Sequence, residues 1–168
     1  RTIASGCEKS VVFYNARDYL SQRKVTSNTS ISSHTLIELN NSMQRSSVLY
    51  RTTGGVHSTA LCDTESMLSF KEDIGRHNAL DKVLGEALLK CIPTDGKLIL
   101  TSGRATLEIV IKSIRHGIAI LASRSAPTNL AVKLASQSGL TLIGFARGNR
   151  MNIYSNEMRI VAKAEYFI

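Results

Sequence analysis

Long hydrophobic runs are missing from this chain of 168 residues. None approaches the ~20 apolar residues that cross a bilayer. Residues 1–20 also lack the unbroken apolar stretch of a secretory signal. Cysteine is scarce, with only Cys7, Cys62 and Cys91, an odd and scattered set. Such a set does not make a disulfide framework and points to a reducing, cytoplasmic setting. There is no Cys-x-x-Cys and no His-x-x-x-His pair, so no metal site is expected. A Walker-type phosphate loop and a Gly-x-Gly-x-x-Gly run are absent as well. Acidic residues are in deficit, 13 against 21 Lys plus Arg, for a net charge of +8. That balance asks for an anionic partner, such as a phosphate-bearing cofactor, nucleic acid or an acidic protein surface; a solvated basic surface is the plainer reading. Nucleic acid fits least, because aromatics make up only 5% of the residues and supply no stacking platform for single strands.

What is present describes one domain with a full core, 43% of the residues being apolar. The first residue is Arg1, so a missing upstream portion is expected. Residues 1–33 read as a lead segment: a short strand-like part ending in Val11-Val12-Phe13-Tyr14, then a flexible polar connection over 15–33. From 34 onward the pattern becomes regular. A helix over about 34–46 has Leu36, Ile37, Leu39 and Met43 as its stripe. Strands follow at Val56–Cys62 and Met67–Phe70, with a turn at Asp63-Thr64-Glu65. Residues 77–90 form a helix, and Lys97–Thr101 a strand after the Asp95-Gly96 break. Then come a helix over about 104–115, a strand Ile118–Ala122, a helix Pro127–Ser138, a strand Leu140–Ala146 and a last short strand Ile153–Tyr154. Nearly all-apolar strands alternating with helices predict a three-layer α/β/α domain over 34–168 with a mixed, largely parallel sheet.

In such a sheet ligands gather where strand ends meet helix N-termini. The polar clusters fall there. Gly54, Gly55 and His57 precede or open a strand, and Ser102 and Arg104 follow one. Ser125 lies in Ser123-Arg124-Ser125-Ala126-Pro127-Thr128, and Phe145-Ala146-Arg147-Gly148-Asn149-Arg150 follows the last long strand. The densest run is Glu72-Asp73-Ile74-Gly75-Arg76-His77-Asn78-Ala79-Leu80-Asp81-Lys82. Its Arg76, His77 and Asn78 open a helix, where free amides and the dipole favour an anion. Each loop alone is equally explained by turn and capping chemistry. Four loops bearing Arg at one sheet edge point instead to a phosphate-rich ligand, because guanidinium forks match phosphate oxygens. His57 and His77 are candidates for ligand hydrogen bonding or for orienting their loops. Among the thiols, Cys7 lies in Ser5-Gly6-Cys7-Glu8-Lys9-Ser10, a small polar setting in which Lys9 favours the thiolate. Cys62 and Cys91 have apolar neighbours and are expected to fill core.

Taken in order, Thr53-Gly54-Gly55-Val56-His57, the Glu72–Lys82 run, Ser102-Gly103-Arg104, Ser125-Ala126-Pro127-Thr128 and Gly144-Phe145-Ala146-Arg147-Gly148 closely resemble the FdhD/NarQ family over about residues 1–160. These are the formate dehydrogenase accessory sulfurtransferases. The resemblance implies a cytidine-deaminase-like main domain, an upstream β-rich portion, and a homodimer. It also implies sulfur transfer, as a cysteine persulfide, from a cysteine desulfurase to the molybdenum (or tungsten) bis-pterin guanine dinucleotide cofactor of formate dehydrogenase. That cofactor is bound as substrate, with GDP as a mimic. Cys7 matches the sulfur-carrying cysteine and Phe145–Arg150 the cofactor-contacting segment. Many members have Cys-x-x-Cys here, whereas this chain reads Cys7-Glu8-Lys9-Ser10. A relay through Cys7 alone is left. Deamination is disfavoured, since Ser58-Thr59 follow His57 and Pro-Cys-x-x-Cys is absent. The rival reading is a chaperone that shelters the cofactor without transferring sulfur.

Overall fold

Two strands, Leu98–Thr101 (β4) and Ile120–Ser123 (β5), are buried at every position. Strands buried on both faces belong in the middle of a covered parallel sheet. In the computed structural model, which describes residues 24–161, they lie there. With Ile31–Ser32 as β1, the main sheet is built from His57–Cys62 (β2), Met67–Asp73 (β3), β4, β5, Thr141–Arg147 (β6) and Arg150–Ser155 (β7), in the order β3-β2-β4-β5-β6-β7. β4, β5 and β6 are parallel; β2 runs against both β3 and β4, and β7 against β6. The sheet is mixed, with a parallel centre.

Helices cover both faces. Ser33–Ser46 (α1) is followed by Val48–Thr53 (α2), Arg76–Leu89 (α3), Leu107–Arg115 (α4) and Asn129–Ser138 (α5). α3 packs on β2 and β3, and α1 packs on the same two strands, so the two helices take opposite faces. α4 lies beside α5 and is tied to α3 by Lys112–Asp81 at 2.6 Å and His77–Glu108 at 3.5 Å. The core is continuous from α1 through the sheet to this second layer. Among the described residues, no helix is long and apolar enough to cross a membrane.

Several element bounds differ from the periodicity, each for a tertiary reason. β3 runs on to Asp73 because His57 pairs with it. α4 begins at Leu107 and not at 104, because Ala105 bridges to Pro127 and accepts Thr128 N at 3.0 Å. That bridge also keeps Pro127 outside α5, which is capped by the Thr128 hydroxyl. The expected short strand at Ile153–Tyr154 is the longer Arg150–Ser155, the second arm of a hairpin and the last strand of the main sheet. Residues 24–33, expected to belong to a flexible connection, are pinned instead. Val25 is buried and donates to Ser138 O at 2.8 Å, and β1 pairs in parallel with Ile160–Val161 (β8). Arg159 explains the difference: its guanidinium donates to Ser27 O, Gly139 O and the Thr141 hydroxyl at 2.7–3.2 Å, giving the polar backbone a partner. Residues 1–23, with Cys7, lie outside the described residues.

Candidate functional site

β4, β5 and β6 end on the same edge of the sheet. Antiparallel pairing brings the start of β2 and the end of β3 to that edge too. Five connections therefore converge: α2–β2 with Gly54 and Gly55, β3–α3 with Gly75, β4–α4 with Ser102 to Thr106, β5–α5 with Arg124 to Thr128, and the β6–β7 turn of Gly148 and Asn149. The loops scattered through the sequence meet in space.

Their contacts are specific. Ser58 N donates to the Ser102 hydroxyl at 2.9 Å, and that hydroxyl lies 3.3 Å from His57 Nδ1. Burial, then the charges of Arg76 and Arg104, hold His57 below its ordinary pKa, so the imidazole is neutral at pH 7. Arg76 lies across Gly103: a Cβ there would sit 2.7 Å from the Arg76 Cβ. Ser123 is fully buried and donates to Gly103 O at 2.7 Å while accepting Ser125 N at 2.9 Å, joining two loops. Phe145 N donates to Ser125 O at 3.1 Å, and Arg147 Nε to Arg124 O at 2.6 Å. Phe145 itself is 43% exposed and has a φ of +54°, a left-handed backbone that bulky residues adopt rarely. Ala146 is buried beneath it, with its carbonyl accepting from Asn40 Nδ2 at 2.9 Å. Arg147 and Arg150 face each other across the hairpin, both exposed along with Gly148 and Asn149.

Not all of the Glu72–Lys82 run reaches this edge as a free binding group. The Glu72 carboxylate takes the Ser47 hydroxyl at 2.5 Å and the amides of Leu49 and Tyr50, capping α2. Asp73 accepts from Gly75 N and Asn78 Nδ2, and pairs with Lys82 at 2.5 Å. The Lys82 hydrogen bond first, then those from Gly75 and Asn78, hold its carboxyl at about 2. His77 points to Glu108 on α4, and burial and Arg76 keep its pKa below the ordinary value. Arg76 remains uncommitted. Its Nε is buried without a hydrogen-bond partner, as are Asn40 Oδ1 and Thr106 Oγ1, the three such side-chain atoms among the described residues. Arg76 and Thr106 belong to the β3–α3 and β4–α4 connections of this edge, whereas Asn40 lies within α1 and reaches β6 through the Ala146 carbonyl. Buried polar atoms are nearly always paired, so each orphan is a hydrogen-bonding group the described residues leave unsatisfied.

Two participants were not singled out from sequence. Asn40 occupies an apolar-stripe position of α1, one turn before Met43, and a polar residue there was its visible signal. Arg124 lay inside a quoted loop without distinction; only the fold shows it partly buried beside Arg147. The other described thiols are elsewhere. Cys62 is buried at the far end of β2, where burial and Asp63 push its pKa up to about 12. Cys91, expected in the core, is exposed, because the chain leaves α3 through a left-handed turn with φ +53°. A groove of about 420 Å³ is lined by Val25–Ser30, Gly139, Asn156, Met158 and Arg159 on the opposite sheet edge. Arg159 is saturated there by backbone carbonyls, so the groove is the seam of the pinned lead segment. No group of three or more His, Cys, Asp or Glu among the described residues is placed to hold a metal ion.

Fold and site define a mixed α/β/α protein with a basic loop edge. Comparison with known proteins narrows this. The chain belongs to the FdhD/NarQ family, whose model matches residues 1–161. Proteins named sulfur carrier protein FdhD from Bacillus pumilus and Bacillus subtilis are each 42% identical over 160 residues, covering 95% of this chain. One from Thermoplasma acidophilum is 46% identical over 139 residues, covering 82% of this chain and 49% of its own. A crystal structure from Desulfotalea psychrophila, described as a formate dehydrogenase accessory protein, superposes with a TM-score of 0.79 at 32% identity, covering 86% of this chain and 62% of that one. The chain spans 61% of the length of the two Bacillus relatives.

Proposed function

We propose that this chain carries sulfur on Cys7 and passes it to a molybdenum or tungsten bis-pterin guanine dinucleotide held as substrate at the basic loop edge. The observation that carries the reading is the convergence of Arg76, Arg104, Arg124, Arg147 and Arg150 on one edge, where the buried Arg76 Nε and Thr106 Oγ1 have no partner among the described residues. A dinucleotide rich in phosphates and base-edge hydrogen-bonding groups suits both features. The names of the relatives supply the sulfur half of the argument.

In the first step the Cys7 thiolate attacks the outer sulfur of a cysteine desulfurase persulfide. The new S–S bond forms on Cys7 as the donor's thiolate leaves. The carried sulfur is at the sulfane level, so delivery as sulfide draws two electrons from a thiol reductant. The remaining thiols fit this role less well: Cys62 is held protonated, and Cys91 follows the C-terminal end of α3, about 20 Å along the helix from Arg76. The tether allows Cys7 the distance. Val25 is anchored beside Ser138, near the start of β6. The chain between Cys7 and Lys24 spans at most about 60 Å, against about 23 Å for the length of β6. The assembly implied is a homodimer in the cytoplasm, with a cysteine desulfurase as donor and formate dehydrogenase as recipient.

Incubation with a desulfurase and cysteine, followed by intact-mass and peptide analysis, tests the reading. One added sulfur on Cys7, lost in Cys7→Ala together with formate dehydrogenase activation but not GDP binding, is expected. Full activation by Cys7→Ala would overturn sulfur transfer and leave the chaperone.

A further inference from the structure

Resting on the cofactor-binding reading above, we propose that Arg124 is the anchoring half of a two-guanidinium seat, completed by Arg147, for the diphosphate of a nucleotide. Arg124 follows β5, and its backbone is fixed on both sides. Its amide donates to Thr101 O at 2.9 Å, and its carbonyl accepts Arg147 Nε at 2.6 Å. The next residue is held from both directions by Ser123 and Phe145. The Arg124 backbone is therefore held in place from both sides.

The electrostatics of this side chain are unfavourable as they stand. The guanidinium is partly buried, and no carboxylate or hydrogen-bond acceptor is paired with it among the described residues. Burial first, then the neighbouring Arg147, lowers its pKa; only Tyr50 opposes them. A folded chain that keeps two guanidinium groups together without an acid retains an electrostatic cost that an anion would remove. Arg147 spends its Nε on the Arg124 carbonyl, which leaves its terminal nitrogens and the whole Arg124 fork for ligand oxygens. Two adjacent forks match two linked phosphates better than one. Phe145, exposed and bonded through its amide to the carbonyl of Ser125, the residue after Arg124, offers an apolar face to a base attached to the diphosphate.

Calorimetry on the full chain with inorganic pyrophosphate, GDP and GMP, joined to thermal melts, provides the test. Arg124→Met is expected to weaken pyrophosphate and GDP about 10- to 100-fold, as for the loss of charge-assisted bonds. GMP should be affected less. The ligand-free melting temperature of Arg124→Met should equal or exceed the wild type's, because an unpaired charge has been removed. Arg124→Lys, which keeps the charge but not the fork, should fall between in affinity, and it decides the matter if Arg124→Met does not fold. Pyrophosphate binding within about threefold of wild type in both variants would overturn the seat, as would its absence from the wild type. Pyrophosphate binding without GDP binding would keep the seat and remove the nucleotide reading instead.

Discussion

Ser123 shows how one hydroxyl holds this edge together. It is fully buried, and it satisfies the Gly103 carbonyl and the Ser125 amide at once. Ser123→Ala leaves both groups buried and unpaired, so unfolding free energy in urea should fall by about 1–3 kcal/mol. GDP affinity should fall with it, because Ser125 in turn holds Phe145 through its carbonyl. Unchanged stability would mean that water replaces the hydroxyl and that the loops are looser than drawn. Phe145 is the complementary case. A left-handed backbone costs a residue with a Cβ about 1–2 kcal/mol, and the hairpin retains it while leaving the ring exposed. It falls where the β6–β7 register is irregular between Gly144 and Arg147, and such bulges hold one residue in an unusual backbone conformation.

Among the elements, α2 is the one whose existence depends on a distant residue. Six residues are too few for a stable helix in isolation. Glu72 on β3 supplies the missing N-terminal acceptor for Ser47, Leu49 and Tyr50. Glu72→Ala should therefore fray α2 and loosen Gly54 and Gly55 behind it, at a cost of about 0.5–2 kcal/mol. Hydrogen exchange would report faster amides at Tyr50 and Gly54, with α3 unaffected. The same contacts explain what could be read in advance. The apolar strands and helix stripes announced the α/β layering, since β4 and β5 have no polar face at all. The gathering of loops followed from strand order. The role of the Glu72–Lys82 run was less legible, because Glu72 and Asp73 beside a helix start serve equally as ligand contacts and as caps. Only the pairing of β3 with β2 shows them turned to α2, Lys82 and Asn78. Asn40 is tied to β6, and Arg124 to β4 and β6, by contacts that sequence spacing does not encode.

Across the described residues the carboxylates and imidazoles that the fold perturbs favour the deprotonated form. Asp73 and Glu86 are held at about 2, against ordinary values of 3.8 and 4.5; hydrogen bonds from Lys82 to Asp73 and from Ser69, Lys90 and Lys71 to Glu86 are the causes. Asp63 is lowered too, by the Glu65 and Ser66 amides working against burial. His57 and His77 lie below 6.5 because burial and Arg76 disfavour the imidazolium. In every case the unfolded chain takes up its proton at a higher pH than the native one, so stability must rise with pH through these windows. The melting temperature should accordingly be level near neutrality. It should decline as the pH drops below 6.5, where the unfolded histidines charge first. A second, steeper loss should run from 4.5 down toward 2, as the carboxylate contacts are given up. The net charge of +8 grows over the same range and adds self-repulsion, which salt should partly relieve. Replacing His57 and His77 by Gln should flatten the upper limb and leave the lower one in place. A melting temperature that climbs on acidification from pH 6.5 would contradict the neutral, half-buried imidazoles on which the geometry of the Ser102 and α3–α4 contacts depends.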